Sequence, residues 1–399
     1  MTTAVVLSHR LPFPPQGGAD LRNWQNVRAL AAAGRVGVLG LDRAVPPPAC
    51  EGVVEWQATS DQALVEPPAS TAVDALKWLR DPAAHPSDRW YSPIAAAELV
   101  GMVHRLEPDI VVLEQLWLHR YVGDLRRFGC PVVYDAHNLE GPVHSEVAGT
   151  RNDRLSAMFA ERTYAIEGAL LERVDQVWAC SDDDAARGRE LYPSAAPIAV
   201  VPNTIDVDGY ARGDAGGATL LYPGVFSYPP NRLAAARLVD EIFPALAHVR
   251  PDARLELVGG GPTDVMLAAA ARDPRIEVTG QVVDTLPYMR AATVLPIPLQ
   301  EGGGTRFKAL EAFASGLPVV STAKGVEGLD VTAGEHYLQA ETTTEFVDAI
   351  ATLLEDEALR RRLADRALTV VRDSYSYPVA ERRIHEALAG LGVMEVTLS

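Results

Sequence analysis

The chain has 399 residues, 48% of them hydrophobic, three cysteines and a formal charge of −17 at pH 7. That length exceeds what one hydrophobic core sustains and asks for two domains, while the acidic balance argues against nucleic acid and anionic membranes, whose phosphates need clustered Lys and Arg. Cys50, Cys130 and Cys180 lie too far apart for a metal-ligand spacing, no apolar run reaches the ~20 residues that span a bilayer, and no basic segment opens the chain, so a cytoplasmic protein without stable membrane association is expected.

In chain order, residues 4–8 are a short apolar run that reads as a buried strand, and residues 11–18, with three prolines and Gly17-Gly18, cannot be helical. The helix that follows carries Asp20 in its first turn and is expected to bury Leu21, Trp24, Val27, Leu30 and Ala31. Residues 36–41 read as a strand, and residues 51–93 have poor periodicity and read as loops and short helices. Residues 94–106 read as a helix, 109–114 and 131–134 as strands, 152–174 as a long helix, and 176–180 and 198–201 as the strands completing a first sheet. Pro202-Asn203-Thr204 marks a break, after which the alternation restarts.

Residues 219–223 read as a strand, 233–247 as a helix, and 254–258 as a strand stopped by Gly259-Gly260-Gly261-Pro262, a turn that needs no ligand. A short helix at 275–278, a helix near Leu286, a strand at 293–297, a glycine loop opening a helix and a strand at 318–321 follow. Residues 342–391 read as helices, and the stretch after Tyr375 is expected to return to the first domain. Strands alternating with helices of this length predict α/β architecture: two Rossmann-like domains, residues 1–202 (completed by 376–399) and 203–375, with parallel sheets facing a central cleft.

The most informative stretch runs from Pro298 to Ser321 and contains Glu301, Gly302, Gly303, Gly304, Thr305, Arg306, Lys308 and Glu311. Glycines between a strand and a helix put bare N–H groups at the positive end of a helix dipole, where a diphosphate can sit, and Arg306 and Lys308 add charge there. Only Lys77, Lys308 and Lys324 are lysines, so a Lys beside Arg306 is a departure from the chain's habit. Glu311 makes no sense as a phosphate ligand but suits ribose hydroxyls. On spacing alone, an ordinary helix start with an exposed Glu stays open. Asp135, His137, Asn138 and Glu140 follow a strand and are too polar for a core. Trp117 and Tyr121 follow another strand end, and either line an acceptor site or form a packing face. Asp182-Asp183-Asp184 reads as a helix cap rather than a metal site, and no Asp-x-Asp stands between apolar strands, so no metal or cofactor is expected.

The Gly-Gly-Gly-Thr-Arg-x-Lys-x-Leu-Glu-Ala loop resembles a variant of family 4 of the retaining glycosyltransferases, which have the GT-B fold. Gly17-Gly18, the stretch from Tyr134 to Glu140, Ser181, Val201-Pro202-Asn203, Tyr228-Pro229-Pro230-Asn231 and Pro318-Val319-Val320-Ser321 fit the same family in order. The resemblance implies a hexosyltransferase-type, metal-independent enzyme that moves a sugar from a nucleotide-sugar donor to a hydroxyl with retention of configuration. The acidic chain and a first helix with only Arg22 and Arg28 as basic residues favour a soluble acceptor, a small natural product or saccharide intermediate, over a lipid. Donor-binding roles then fall to Gly17, Gly18, Gly302, Gly303, Gly304, Thr305 and Glu311, catalytic roles to His137, Arg306 and Lys308, and acceptor-side roles to Asn138, Trp117 and Tyr121.

Two departures stand out. The family pairs glutamates with seven residues between them, and the partner position of Glu311 is Gly303; Glu301, two residues earlier, substitutes for it if the loop bends. Many relatives also carry an Arg and a Lys where this chain has residues 226–231. A nucleotide-sugar epimerase of the same fold and a catalytically degenerate GT-B partner protein are the alternatives.

Overall fold

The computed structural model describes residues 1–10, 15, 17–42, 50–65, 80–81, 84–151, 153–213, 216–302 and 306–394. The chain divides into two compact units, Met1–Asn203 with Tyr377–Ser399, and Thr204–Ser376.

The first unit is built on seven parallel strands: β1 Thr2–Ser8, β2 Gly34–Gly40, β3 Val53–Ala58, β4 Ile110–Glu114, β5 Val132–Ala136, β6 Gln176–Ala179 and β7 Ile198–Val200, in the order β3-β2-β1-β4-β5-β6-β7. Its longer helices are α1 Gly18–Ala33, α2 Pro93–Leu106, α3 Glu140–Arg151, α4 Arg154–Leu171 and α5 Asp182–Leu191, together with the terminal helix Tyr377–Gly390. The central strands are apolar throughout because both faces are covered, and successive residues supply opposite cores. Val5, Leu7, Val111 and Leu113 pack with Leu99 and Met102 of α2. Ala4, Val6 and Val112 pack with Val27 and Leu30 of α1 and with Ile384 and Leu388 of the terminal helix.

The second unit holds β8 Thr219–Pro223, β9 Arg254–Val258 and β10 Ile276–Gly280 in one sheet, and β11 Leu295–Ile297, β12 Val319–Ser321 and β13 Leu338–Gln339 in another. A parallel bridge between Leu220 and Val294 joins them in the order β10-β9-β8-β11-β12-β13. This repeats the first six strands of the other unit and is the doubly wound order whose direction reverses beside the first strand. Helix α6 Pro229–Arg237 runs through a π turn, Leu238–Ile242, into α7 Phe243–Val249; α8 Asp264–Arg272, α9 Leu286–Ala291, α10 Phe307–Ala314, α11 Thr343–Glu355 and α12 Glu357–Ser374 follow. Among the described residues, no helix is long and apolar enough to cross a membrane.

The elements depart from the sequence reading in five places. Residues 276–280, expected to begin within a short helix, form β10, because Ile276 and Val278 pair in parallel with Leu255 and Leu257. Within 51–93 lies β3, an edge strand whose partly exposed faces hide its alternation. Helix α3 begins with Gly141-Pro142, which looks non-helical locally; the Glu167 carboxylate of α4 accepts the N–H groups of Glu140 (2.7 Å) and Gly141 (2.9 Å) and caps it from a distance. The long helix after it starts only at Arg154, with Asp153 as its N-cap. Ser181, not the aspartate run, caps α5, accepting from the N–H of Asp184 at 3.1 Å, while Asp182–Asp184 occupy the first turn, where the dipole favours negative charge.

Candidate functional site

In each unit the strand order reverses beside one strand, and loops at the carboxyl ends there diverge to leave a crevice. In the second unit these are the exits of β8 and β11. Tyr222, buried near the end of β8, and Asn231 in the first turn of α6 meet Lys308 in the first turn of α10. Lys308 Nζ donates to Tyr222 Oη at 2.9 Å and to Asn231 Oδ1 at 2.7 Å, and lies 4.0 Å from the centre of the tyrosine ring. Its partners are thus neutral. Burial, aided by the nearby Arg306 charge and opposed by Glu311, pulls this ammonium down to about 7. One turn on, Glu311 accepts from Tyr210 Oη at 3.0 Å, and burial pushes its carboxyl up against the opposing influences of Tyr210 and Lys308.

Helix α10 has no side-chain cap, since its N-cap residue is Arg306. That guanidinium does not point away as an open cation: it donates to the Lys324 carbonyl (2.9 Å) and the Gly302 carbonyl (2.7 Å) and pairs with Glu327 (3.3 Å). Arg306 therefore braces the loop, whereas Lys308 is the cation offered at the helix start. Gly302 must be glycine, with φ 111° and a would-be Cβ 2.9 Å from Pro230 Cγ, a close approach that ties the β11 loop to the β8 loop. Gly303, Gly304 and Thr305 lie outside the described residues.

A pH dependence follows. An anion on Lys308 favours its charged form, so binding takes up a proton wherever the free amine has lost one. Nucleoside diphosphate affinity should be highest between about 6, the phosphate's second pKa, and about 7, and fall as pH rises from there toward 9, a range in which the phosphate keeps its charge. Calorimetry in buffers of different ionisation enthalpy reads the uptake; a pH-independent affinity over that range would contradict it.

In the first unit the corresponding exits are those of β1 and β4. Gly17 is the extended N-cap of α1 and has no side-chain cap to offer, and a Cβ there would meet nothing within 4 Å, so packing does not demand glycine. Gly18 is the first residue of the helix. Behind them, α1 buries Asp20, Arg22, Asn23, Gln25 and Asn26 as well as Val27 and Leu30, while Leu21 and Trp24, expected inside, are only half-buried. The polar residues face a charged cluster at the strand ends. Arg22, 1% exposed, grips both oxygens of Asp135 with Nε (2.7 Å) and Nη2 and donates through Nη1 to the Val201 carbonyl (2.9 Å) and Asn203 Oδ1 (2.8 Å). Asn26 Nδ2 donates to Asp135 Oδ2 (3.0 Å) and Glu114 Oε1 (3.2 Å). His137 Nε2 lies 3.2 Å from both Glu114 Oε2 and Asp135 Oδ2.

Burial opposes ionisation of Asp135, yet Arg22 and His137 outweigh it and hold this carboxyl below the usual carboxylate range. Glu114 lacks the arginine, and burial together with the Asp135 charge raises it to about 7. Burial would lower His137, but its hydrogen bonds to Asp135 and Glu114 raise it overall. Gln115, just beyond Glu114, has φ 77°, a strained value for a non-glycine residue of the sort that gathers at functional sites.

Of the acceptor-side residues, Asn138 Nδ2 donates to Glu140 Oε1 (3.2 Å), while its Oδ1 is buried without a partner among the described residues. Trp117 is half-buried and stacks on His85 with centroids 6.0 Å apart. Tyr121 is a correction: it is 0% exposed, packs in the core and donates to the Trp90 carbonyl at 2.9 Å, so no acceptor can reach it. Arg22, Asn23, Asn26, Glu114, Tyr210 and Tyr222 were not singled out as site residues in the sequence reading. The available signals were a lone glutamate closing an apolar strand and a polar run on the first half of an amphipathic helix.

Two family profiles match the chain: "Glycosyl transferase 4-like domain" over residues 17–204 and "Glycosyl transferases group 1" over 217–356. An exopolysaccharide phosphotransferase of Streptomyces coelicolor is 27% identical over 196 residues, covering 45% of this chain but only 19% of that protein. Among solved structures, a sucrose-phosphate synthase from Thermosynechococcus elongatus superposes with a TM-score of 0.78 at 20% identity, covering 98% of this chain and 99% of the other. Anabaena HepE in complex with UDP and glucose gives 0.68 at 16% identity over 96% and 99%. With one profile on each unit and this fold throughout, the chain belongs to the glycosyltransferases of the GT-B fold.

Proposed function

We propose that the chain transfers a sugar from a nucleoside diphosphate donor to a hydroxyl of a soluble acceptor, with retention of configuration and without a metal. The observation that carries the donor assignment is Lys308: a partly buried cation at an uncapped helix start, hydrogen-bonded among the described residues to the neutral oxygens of Tyr222 and Asn231. Such a site gains most from an anion, because a desolvated charge without a counter-charge is costly. Glu311, one turn further, is the ribose anchor, and the diphosphate between them receives the helix N–H groups as well. Anabaena HepE, which has this fold, is complexed with UDP and glucose, which supports a nucleotide-sugar donor.

Cleavage of the glycosidic bond leaves charge on the departing phosphate, and preorganised N–H groups with the Lys308 ammonium stabilise that charge as it develops. The acceptor attacks on the face the diphosphate leaves, and the leaving phosphate takes the acceptor's proton. His137 supports the donor sugar. Asn231 takes the place of the missing basic residues of the β8 loop by orienting Lys308 rather than by adding charge.

Calorimetry with nucleoside, monophosphate and diphosphate tests the assignment. Lys308→Ala is expected to weaken diphosphate binding by at least about 1.5 kcal/mol and nucleoside binding far less. Glu311→Ala should weaken all three alike. An unchanged preference for diphosphate over nucleoside in Lys308→Ala would place the clamp elsewhere.

A further inference from the structure

The cluster beneath His137 has a definite charge balance. Arg22 from α1 engages both oxygens of Asp135, so these two neutralise each other. What remains is one carboxyl, Glu114 from β4, and one imidazole, His137, joined through Nε2 at 3.2 Å. Asn26 donates to Glu114, and the Asn23 amide, with its oxygen accepting from Ser8 Oγ, turns its nitrogen to Glu114 Oε2 (3.0 Å), the Ala19 carbonyl (3.0 Å) and His137 Nε2 (2.9 Å), three acceptors for two hydrogens, so that Glu114 and Ala19 can take both. The other charged or titratable groups around the ring are Glu140 from α3 and the Cys180 thiol beyond β6, which donates to the His137 carbonyl at 3.3 Å. Glu114 is fully buried, while His137 keeps 8% of its surface open. Nδ1 has no partner among the described residues, so the ring is tethered by one nitrogen and reachable by a ligand at the other.

We infer that Glu114 is a positioning residue that anchors His137 Nε2 and holds one proton in common with it, so that Nδ1–H is the ring's hydrogen-bond donor to the bound ligand. The role rests on the proposed part of His137 in transfer. It differs from that part in assigning the donor atom and its protonation to a buried residue that touches no substrate. With Asp135 already neutralised by Arg22, removal of the Glu114 charge leaves the ring with less reason to hold its proton. The neutral ring then has one hydrogen, which Nε2 and Nδ1 cannot both use.

The test uses the full chain labelled at Glu Cδ and His Cε1, with Glu114→Gln and His137→Gln assigning the two resonances. In the unaltered chain both groups should titrate with a common midpoint, and in Glu114→Gln the His137 midpoint should move to lower pH. The rate profile should follow: about tenfold lower kcat at pH 8 but less than about threefold at pH 6, with donor KM within about twofold. An independent Glu114 titration near the ordinary value of about 4.3, or an unmoved His137 midpoint, overturns the inference. If the glutamine variant does not fold, the common midpoint in the unaltered chain decides. A moved midpoint with an unmoved rate profile overturns instead the part of His137 in transfer.

Discussion

Arg22→Ala should lose about 3–5 kcal/mol of folding stability, the largest loss expected from any single side chain described here. The reason is what it leaves behind. Asp135 is fully buried, and without Arg22 its charge faces Glu114 with, among the described residues, His137 and Asn26 for support. The Val201 carbonyl and Asn203 Oδ1, which accept from Nη1, lose that donor as well. Arg22→Lys keeps the charge but not the fork that spans both oxygens, and should fall between the two. Urea denaturation followed by the fluorescence of Trp178, buried in the same unit, reads the loss without assuming that both units unfold together. A loss under about 1 kcal/mol would mean that Asp135 is protonated or hydrated in the variant.

His137→Ala should lower turnover about 100-fold, or ~2.7 kcal/mol, while nucleoside diphosphate affinity stays within about twofold. The separation follows from where the groups are: the proposed diphosphate and ribose ligands, Lys308 and Glu311, belong to the second unit, and His137 with its carboxylate partners belongs to the first. Steady-state rates with saturating donor, beside calorimetric binding of the diphosphate, measure the two quantities independently. Weakened binding with unchanged turnover would make His137 a binding or structural element.

Much of the architecture was legible because buried parallel strands write themselves as apolar runs: residues 4–8 and 109–114 announce the sheet centre without help from the rest of the chain. Elements defined by distant partners were not. Nothing local to Gly141-Pro142 says that Glu167 will cap a helix there, and the half-exposed edge strand β3 has no clean period. The site shows the same division. Lys308 and Glu311 stand in a recognisable loop, but Tyr222 and Asn231, which turn Lys308 from a surface cation into an oriented one, come from another strand and helix. Helix α1 misled in an informative way: its apolar face is right from Val27 onward, whereas its first two turns bury Arg22, Asn23 and Asn26 because the strand ends they meet carry carboxylates. Tyr121 errs the other way, an amphipathic side chain whose hydroxyl is satisfied inside the core.

The terminal helix packs on α1, with Ile384 and Leu388 against Val27, Leu30 and Val36, and with His385 Nε2 3.3 Å from the Ala29 carbonyl. During synthesis the first unit therefore leaves the ribosome with part of one side of its core uncovered beside α1, and the missing piece is made only after Thr204–Ser376 has emerged. The second unit is continuous and has all its strands when its turn comes. Refolding from denaturant should mirror this order, with closure of the first unit as the slower phase, since joining segments so far apart in the chain carries the greater loop entropy. Until closure, Val27, Leu30 and Val36 form an adhesive surface, and a chaperone that binds apolar faces would find its target there.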